Sequence, residues 1–158
     1  MKKRSFLADL YEEEKIQFVN PSQDMKTAYL KKSESYLLSA RLLRDHDQFE
    51  QSVSMAYYSM YYSVLALFFR TGIKCENHAA AIVLLRSVFD IDSSDIETAK
   101  RERIDKQYYV DTTTTRQDVD DLCRIAENFH AGILDFIERL TTEKIARFHD
   151  RCKKLVTP

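Results

Sequence analysis

The chain has 158 residues, enough for one ordinary domain burying roughly 70% of the surface its unfolded form exposes. With 24 Lys and Arg against 25 Asp and Glu, 31% charged residues and 44% hydrophobic ones, it is neither disordered by composition nor globally basic, so any nucleic-acid contact has to be local. Two Gly and two Pro are too few for the many turns of a sandwich or barrel, which leaves helices as the main element.

Met1-Lys2-Lys3-Arg4 has the charge of a leader peptide, but the apolar stretch behind it is interrupted at Asp9 and ends in Glu12-Glu13-Glu14, so it is read as part of the domain. No apolar run approaches the length of a membrane span, which implies a soluble, cytoplasmic protein without membrane contact. Phe6, Leu7, Leu10 and Tyr11 fit one face of a short N-terminal helix running to about Phe18. Asn20-Pro21-Ser22 then punctuates the chain. A second helix is expected from about Ser22 to Asp45, with Asp24 at its positive end and Ala28, Leu30, Tyr36, Leu37, Ala40, Leu42 and Leu43 along one side.

The strongest periodicity lies in the third helix, from about Phe49 to Thr71. Tyr57, Tyr58, Tyr61, Tyr62, Leu65, Phe68 and Phe69 recur at paired helical spacing, while Ser54, Ala56, Ser59, Ser63 and Ala66 let neighbouring backbones approach. Gly72 supplies a left-handed stop. Asn77 caps a fourth helix from about His78 to Asp90, its inner face built by Ala81, Leu84, Leu85, Val88 and Phe89. From Ile91 to Asp111 the pattern weakens, and a charged connector with one helical turn is expected.

Thr115 and Asp118 form an acidic variant of the capping box that opens a long helix to about Leu140, carrying Val119, Leu122, Cys123, Ala126, Phe129, Ile133, Phe136, Ile137 and Leu140, with Gly132 as a close-contact point. Beyond it, Ile145, Phe148, Cys152 and Leu155 make an apolar stripe beside a basic one of Lys144, Arg147, Arg151 and Lys154, which either docks a partner or RNA or packs with its cations in water. The fold expected is therefore all-α. It is an up-and-down bundle of four main helices within one domain spanning 1–158, with its core at about 22–140, an extra helix within 1–20 and a basic amphipathic helical extension at 141–158. Cys75, Cys123 and Cys152 are distant from one another and lack CxxC spacing, so they read as reduced, small apolar residues.

Arg41-Leu42-Leu43-Arg44-Asp45-His46 closing the second helix, Ala56-Tyr57-Tyr58-Ser59-Met60-Tyr61-Tyr62 with Ala66-Leu67-Phe68-Phe69 in the third, then Gly72 and His78, together resemble the HEPN domain family of prokaryotes. Arg103-Ile104-Asp105-Lys106-Gln107-Tyr108 resembles that family's Arg…Asp-Tyr element, although two residues separate Asp105 from Tyr108 here. The resemblance implies a compact helical bundle, often a homodimer, often paired with a minimal nucleotidyltransferase in a toxin–antitoxin system, and in some members a ribonuclease. It points to His78, Arg103, Asp105, Tyr108, Tyr58 and Tyr62 as ligand-binding residues, the ligand being a nucleotide or RNA.

The resemblance implies that active members carry Arg, four to six intervening residues and then His, the Arg holding phosphate and the His moving protons. Arg124/His130 and Arg41/His46 fit that spacing. Twelve Arg, four His and three allowed offsets give about 0.9 such pairs by chance, so two carry little weight. On a regular helix Arg124 and His130 lie about 120° apart, and Arg41 and His46 about 140°, so neither pair shares a face unless a symmetric dimer completes the site. Gln48 and Gly132 occupy the positions where the active motif often has Tyr.

Each candidate also has a plain structural reading. The tyrosines either stack bases or build the core; His78 caps or packs, or binds; Lys100, Arg101, Arg103 and Lys106 hold phosphate or form a solvated linker diluted by Glu97, Glu102 and Asp105. The four His are scattered, without a cluster at ligand spacing, so neither a metal nor a cofactor is expected. The leading expectation is a non-catalytic binding protein. The alternatives are a metal-independent ribonuclease toxin using Arg124 and His130, and a ligand-free dimeric scaffold.

Overall fold

The computed structural model describes residues 5–108 and 113–157, and the side chains of 106–108 lie outside that description. Among the described residues the chain forms α1 (Phe6–Glu12), β1 (Ile16–Phe18), α2 (Gln23–Asp45), α3 (Phe49–Thr71), β2 (Ile73–Cys75), α4 (His78–Phe89), α5 (Ser94–Tyr108), α6 (Arg116–Glu138) and α7 (Thr142–Val156). It is an all-helical bundle with one small sheet.

Helix α3 forms the centre because its apolar stripe is wide enough to be covered on several sides: Tyr57, Met60, Val64, Leu67 and Phe68 are fully buried, and α2, α5 and α6 pack around it. Each such side chain contributes about 1.5–3 kcal/mol by leaving water. Against α2 the seam is built from small residues, Ala40, Ala56, Ser33, Ser52 and Ser59, all buried. Their hydroxyls tie the two backbones together. Ser33 Oγ donates to the Ser59 carbonyl at 2.6 Å, Ser59 Oγ donates to the Ser33 carbonyl at 2.9 Å, and Ser52 Oγ donates to the Ala40 carbonyl at 2.6 Å. The burial of α2 is narrower than its sequence suggests: Leu30, Ser33, Leu37 and Ala40 face inward, while Ala28 and Leu42 are exposed.

The sequence-based boundaries of α2, α3, α4 and α6 hold to within a residue or two, and the N-terminal caps of α4 and α6 are the expected ones, while α2 is capped by Ser22. Ser22 accepts from Met25 N, Asn77 accepts from Ala80 N, and Thr115 and Asp118 form the reciprocal capping box. Gly72 ends α3 at φ 81°.

Four expectations are corrected. The N-terminal helix does not reach Phe18; it stops at Glu12, where a run of three glutamates opposes the negative end of the helix dipole and Glu14 turns to φ 59°. The chain then pairs as β1 with β2, antiparallel, with Ile16 opposite Cys75 and Phe18 opposite Ile73, burying both isoleucines. The stretch after Ile91 is a 15-residue helix, α5, and not a connector with a single turn; Asp92 Oδ1 accepts from Ser94 N at its start, and Ile96 and Ala99 seat it against the bundle. Gly132 contacts nothing, since a Cβ there would meet no atom within 4 Å. In α7 the buried stripe is Ile145, Phe148, Cys152 and Val156, while Leu155 is exposed, because a 3.6-residue period drifts one position along by the fourth turn. No helix among the described residues is long and apolar enough to cross a membrane.

Candidate functional site

Adjacent tyrosines on a helix point about 100° apart, so each Tyr-Tyr pair in α3 sends one ring inward and leaves the next at the rim. Tyr57 and Tyr61 are buried, while Tyr58 and Tyr62 are half-buried. Two further helices close on this edge. Gly72 and the β2 turn bring Asn77 round to cap α4, which places His78 at that helix's first position. Helix α5 carries Arg103 one turn beyond Ala99, the buried residue that seats it.

These residues meet. His78 Nδ1 lies 2.7 Å from the Tyr57 hydroxyl, and its ring stacks on Tyr61 with centroids 3.9 Å apart and planes 11° from parallel. Arg103 Nη1 donates to the Tyr58 hydroxyl at 3.3 Å, and its guanidinium carbon sits 5.1 Å above the Tyr57 ring and 5.4 Å above the Tyr58 ring. A guanidinium over two ring faces is held by cation–π attraction without losing its charge.

The electrostatics follow from burial. Desolvation, followed by the positive charges of Arg103 and Lys100, holds the His78 imidazole below its ordinary value, so the ring is neutral at physiological pH. Where the Tyr57 hydroxyl donates to Nδ1, the imidazole hydrogen sits on Nε2, which has no hydrogen-bond partner among the described residues. Burial lifts the Tyr57 and Tyr61 hydroxyls well above their usual range, with Arg103 pulling Tyr57 the other way. Tyr62 is pushed up to about 12 by burial and by its hydrogen bond with Tyr36, so every hydroxyl of the cluster with a shifted value stays protonated.

From Tyr58 the aromatic surface continues across the α2–α3 edge. Tyr58 and Tyr62 stack at 6.2 Å, Tyr36 packs on Tyr62 at 5.0 Å, Tyr29 lies between Tyr62 and Phe69 at 6.0 and 5.1 Å, and Lys32 Nζ sits 4.4 Å over the Tyr62 ring. The result is a half-buried aromatic band with Arg103 over its Tyr57–Tyr58 end and Lys32 over Tyr62 further along. Such a surface can accept a planar ring by stacking and an anionic group by charge.

The structure thus brings together His78, Arg103, Tyr58 and Tyr62. Asp105 is half-buried on α5, with no hydrogen bond or ion pair to this cluster among the described residues, and the Tyr108 side chain lies outside the described residues. The other candidate pair is not assembled within the chain. Arg124 is exposed and bonded to Asp121 at 2.6 Å, whereas His130 is buried, with Nδ1 2.7 Å from Ser33 Oγ in the α2–α3 seam and Nε2 3.7 Å from the Glu34 carboxylate. Arg41 pairs with Glu127 at 2.9 Å, and His46 Nδ1 lies 2.8 Å from the Leu42 carbonyl at the end of α2. No group of three or more His, Cys, Asp or Glu among the described residues is placed to hold a metal ion.

Sequence reasoning missed Tyr57 as a site residue, because its ring belongs to the core while its hydroxyl reaches His78. It also missed Tyr36 and Lys32. Their four-residue spacing on α2, a cation one turn from an aromatic, was the available signal.

No curated protein matches the chain. The HEPN domain model matches residues 27–140, from within α2 to just beyond α6, and so covers every residue of the cluster built by His78, Arg103 and the tyrosines of α3. The chain belongs to the HEPN domain family.

Proposed function

We propose that this protein is a non-catalytic HEPN binding protein that takes a nucleotide or nucleotide-like phosphorylated ligand at the rim between α3, α4 and α5, acting as a homodimer alongside a minimal nucleotidyltransferase in a toxin–antitoxin-type system. The observation that carries the reading is Arg103 lying over Tyr57 and Tyr58 beside the neutral His78. Arg103 offers a charge-assisted donor to a phosphate, His78 Nε2 offers a neutral donor, and the Tyr58–Tyr62–Tyr36 surface offers a face for a base. Lys100, close enough to depress His78, adds positive charge to the same edge. Among the described residues the cluster contains hydrogen-bond donors and stacking surfaces and no carboxylate base, which supports binding over chemistry.

Isothermal calorimetry of the purified chain with AMP and ATP tests the reading directly. Saturable binding is expected, weakened about tenfold or more in Arg103→Ala and in Tyr58→Ala. Co-expression with a minimal nucleotidyltransferase encoded beside it is expected to yield a stable complex. Absence of heat with both nucleotides, together with failure to co-purify, would overturn the proposal. A ribonuclease centred on Arg124 and His130 would need a second chain to complete the site. RNA cleavage abolished by Arg124→Ala in a fully folded protein would establish that rival reading.

A further inference from the structure

A second site straddles the C-terminal limit of the family match at residue 140. Where α6 ends and α7 begins, Phe136, Arg139, Leu140, Lys144, Arg147 and Phe148 line a cavity of about 180 Å³. Its floor is apolar and anchored in the core: Phe136 and Phe148 pack at 5.7 Å, and both touch Phe89, at 6.1 and 5.0 Å.

The rim is cationic, and little of its charge is neutralised. Arg139 Nε pairs with Asp135 at 3.0 Å. Lys144 Nζ reaches only a backbone carbonyl, that of Arg139, at 3.5 Å, and the Arg147 guanidinium carbon stands 5.5 Å over the Phe148 ring. Neither Lys144 nor Arg147 has a carboxylate partner among the described residues. Arg151, one turn further along α7, shows the contrast, since it is committed to Asp90 and the Val88 carbonyl at 2.8 Å each. Three cations therefore line an apolar hollow, one of them paired with Asp135.

Size decides what this hollow accepts. A cavity of about 150 Å³ holds a benzene ring, so this one has room for a single aromatic or branched aliphatic side chain and is too small to enclose a base with its sugar and phosphate. We infer that the α6–α7 cavity is a docking site for an acidic segment of a partner protein, taking one aromatic side chain onto Phe136 and Phe148 while flanking carboxylates pair with Lys144 and Arg147. The pairing would be exposed to water, so it sets specificity and salt dependence, and the buried ring supplies most of the affinity.

Fluorescence anisotropy of the full chain with a labelled peptide Gly-Ser-Glu-Asp-Phe-Glu-Asp-Gly is the test. Saturable binding with a Kd of about 10–300 μM is expected, falling about tenfold when the peptide Phe is replaced by Ala and weakening as salt is raised. Arg147→Glu and Lys144→Glu, both on the exposed side of α7, are each expected to weaken it about tenfold while leaving far-UV circular dichroism and nucleotide binding at the Arg103 cluster unchanged. Absence of saturation below about 1 mM overturns the inference. So does equal binding of the Phe and Ala peptides, which would mean charge attraction alone. Tighter binding of a labelled oligouridylate, lost in Arg147→Glu, would assign the surface to RNA and overturn it too.

Discussion

Replacing Ser33 by Ala should be far more costly than the loss of one hydroxyl suggests. Ser33 is fully buried, and its oxygen lies 2.6 Å from the Ser59 carbonyl and 2.7 Å from His130 Nδ1. A hydroxyl has one hydrogen. With that hydrogen on the Ser59 carbonyl, His130 Nδ1 is itself a donor and Ser33 its acceptor. Removing Ser33 Oγ therefore deletes one bond worth about 1 kcal/mol and strands a buried N–H, which costs about 1–3 kcal/mol. Glu34 offers Nδ1 no substitute, because its carboxylate lies on the other side of the ring, 3.7 Å from Nε2. The expected total is about 2–4 kcal/mol, or a fall in Tm of roughly 5–15 °C for a chain of this length. Urea unfolding followed by circular dichroism measures it, and a cycle with His130→Leu isolates the cause. In the leucine background nothing is stranded, so Ser33→Ala should cost only about 1 kcal/mol and the coupling should be about 1–3 kcal/mol. A loss below about 0.5 kcal/mol in the wild type, or equal losses in both backgrounds, would refute the assignment of His130 as a pin between α2, α3 and α6.

Acid should destabilise the fold through its histidines. Burial lowers the His130 and His78 values beneath the ordinary 6.5, so below that pH the unfolded chain binds protons that the folded one refuses. Stability is therefore full above about pH 6.5 and is lost as pH falls toward the depressed values; urea midpoints at stepped pH should show this, and an identical decline in a His78→Asn, His130→Leu double variant would exclude these two groups. Gly72→Ala should cost about 1–3 kcal/mol, because φ there is 81° and the new Cβ would stand 2.5 Å from the Val19 carbonyl oxygen. An unchanged Tm would show that the β1–α3 junction relaxes freely. The three cysteines should resist a thiol reagent at mildly alkaline pH until urea is added, since burial pushes Cys75 up to about 11, Cys152 up to about 12 and Cys123 upward as well; rapid labelling of the native protein would contradict that burial.

How legible each element was depended on how completely apolar its buried face is. Helix α6 could be read in full because eight inward positions hold the helical period and a capping box marks its start. Helix α5 could not, because its seating stripe runs Ile96, Ala99, Arg103 and so ends in a cation that serves the site. The β1–β2 pair was invisible for a different reason: strands of three residues show no period, and the pairing joins segments separated by all of α2 and α3. His130 illustrates the converse. It lies four residues after Ala126 and three before Ile133, squarely on the buried stripe, so spacing alone placed it inward, while its pairing with Arg124 drew attention to chemistry.

The same logic explains why the site sits where it does. In α3 the pairs Tyr57-Tyr58 and Tyr61-Tyr62 straddle the boundary between core and rim, so one ring of each pair is committed to packing and the other is held at the edge by the helix itself. The inward pair still acts at the edge, because the Tyr57 hydroxyl positions His78 and the Tyr61 ring supports its face. Arg103 then needs only α5 to reach the rings, and the two apolar side chains that seat α5 are enough to deliver it. Among its described side chains α5 is anchored by Ile96 and Ala99, so weakening either should loosen α5 from the tyrosine helix and with it the placement of Arg103 over the rings.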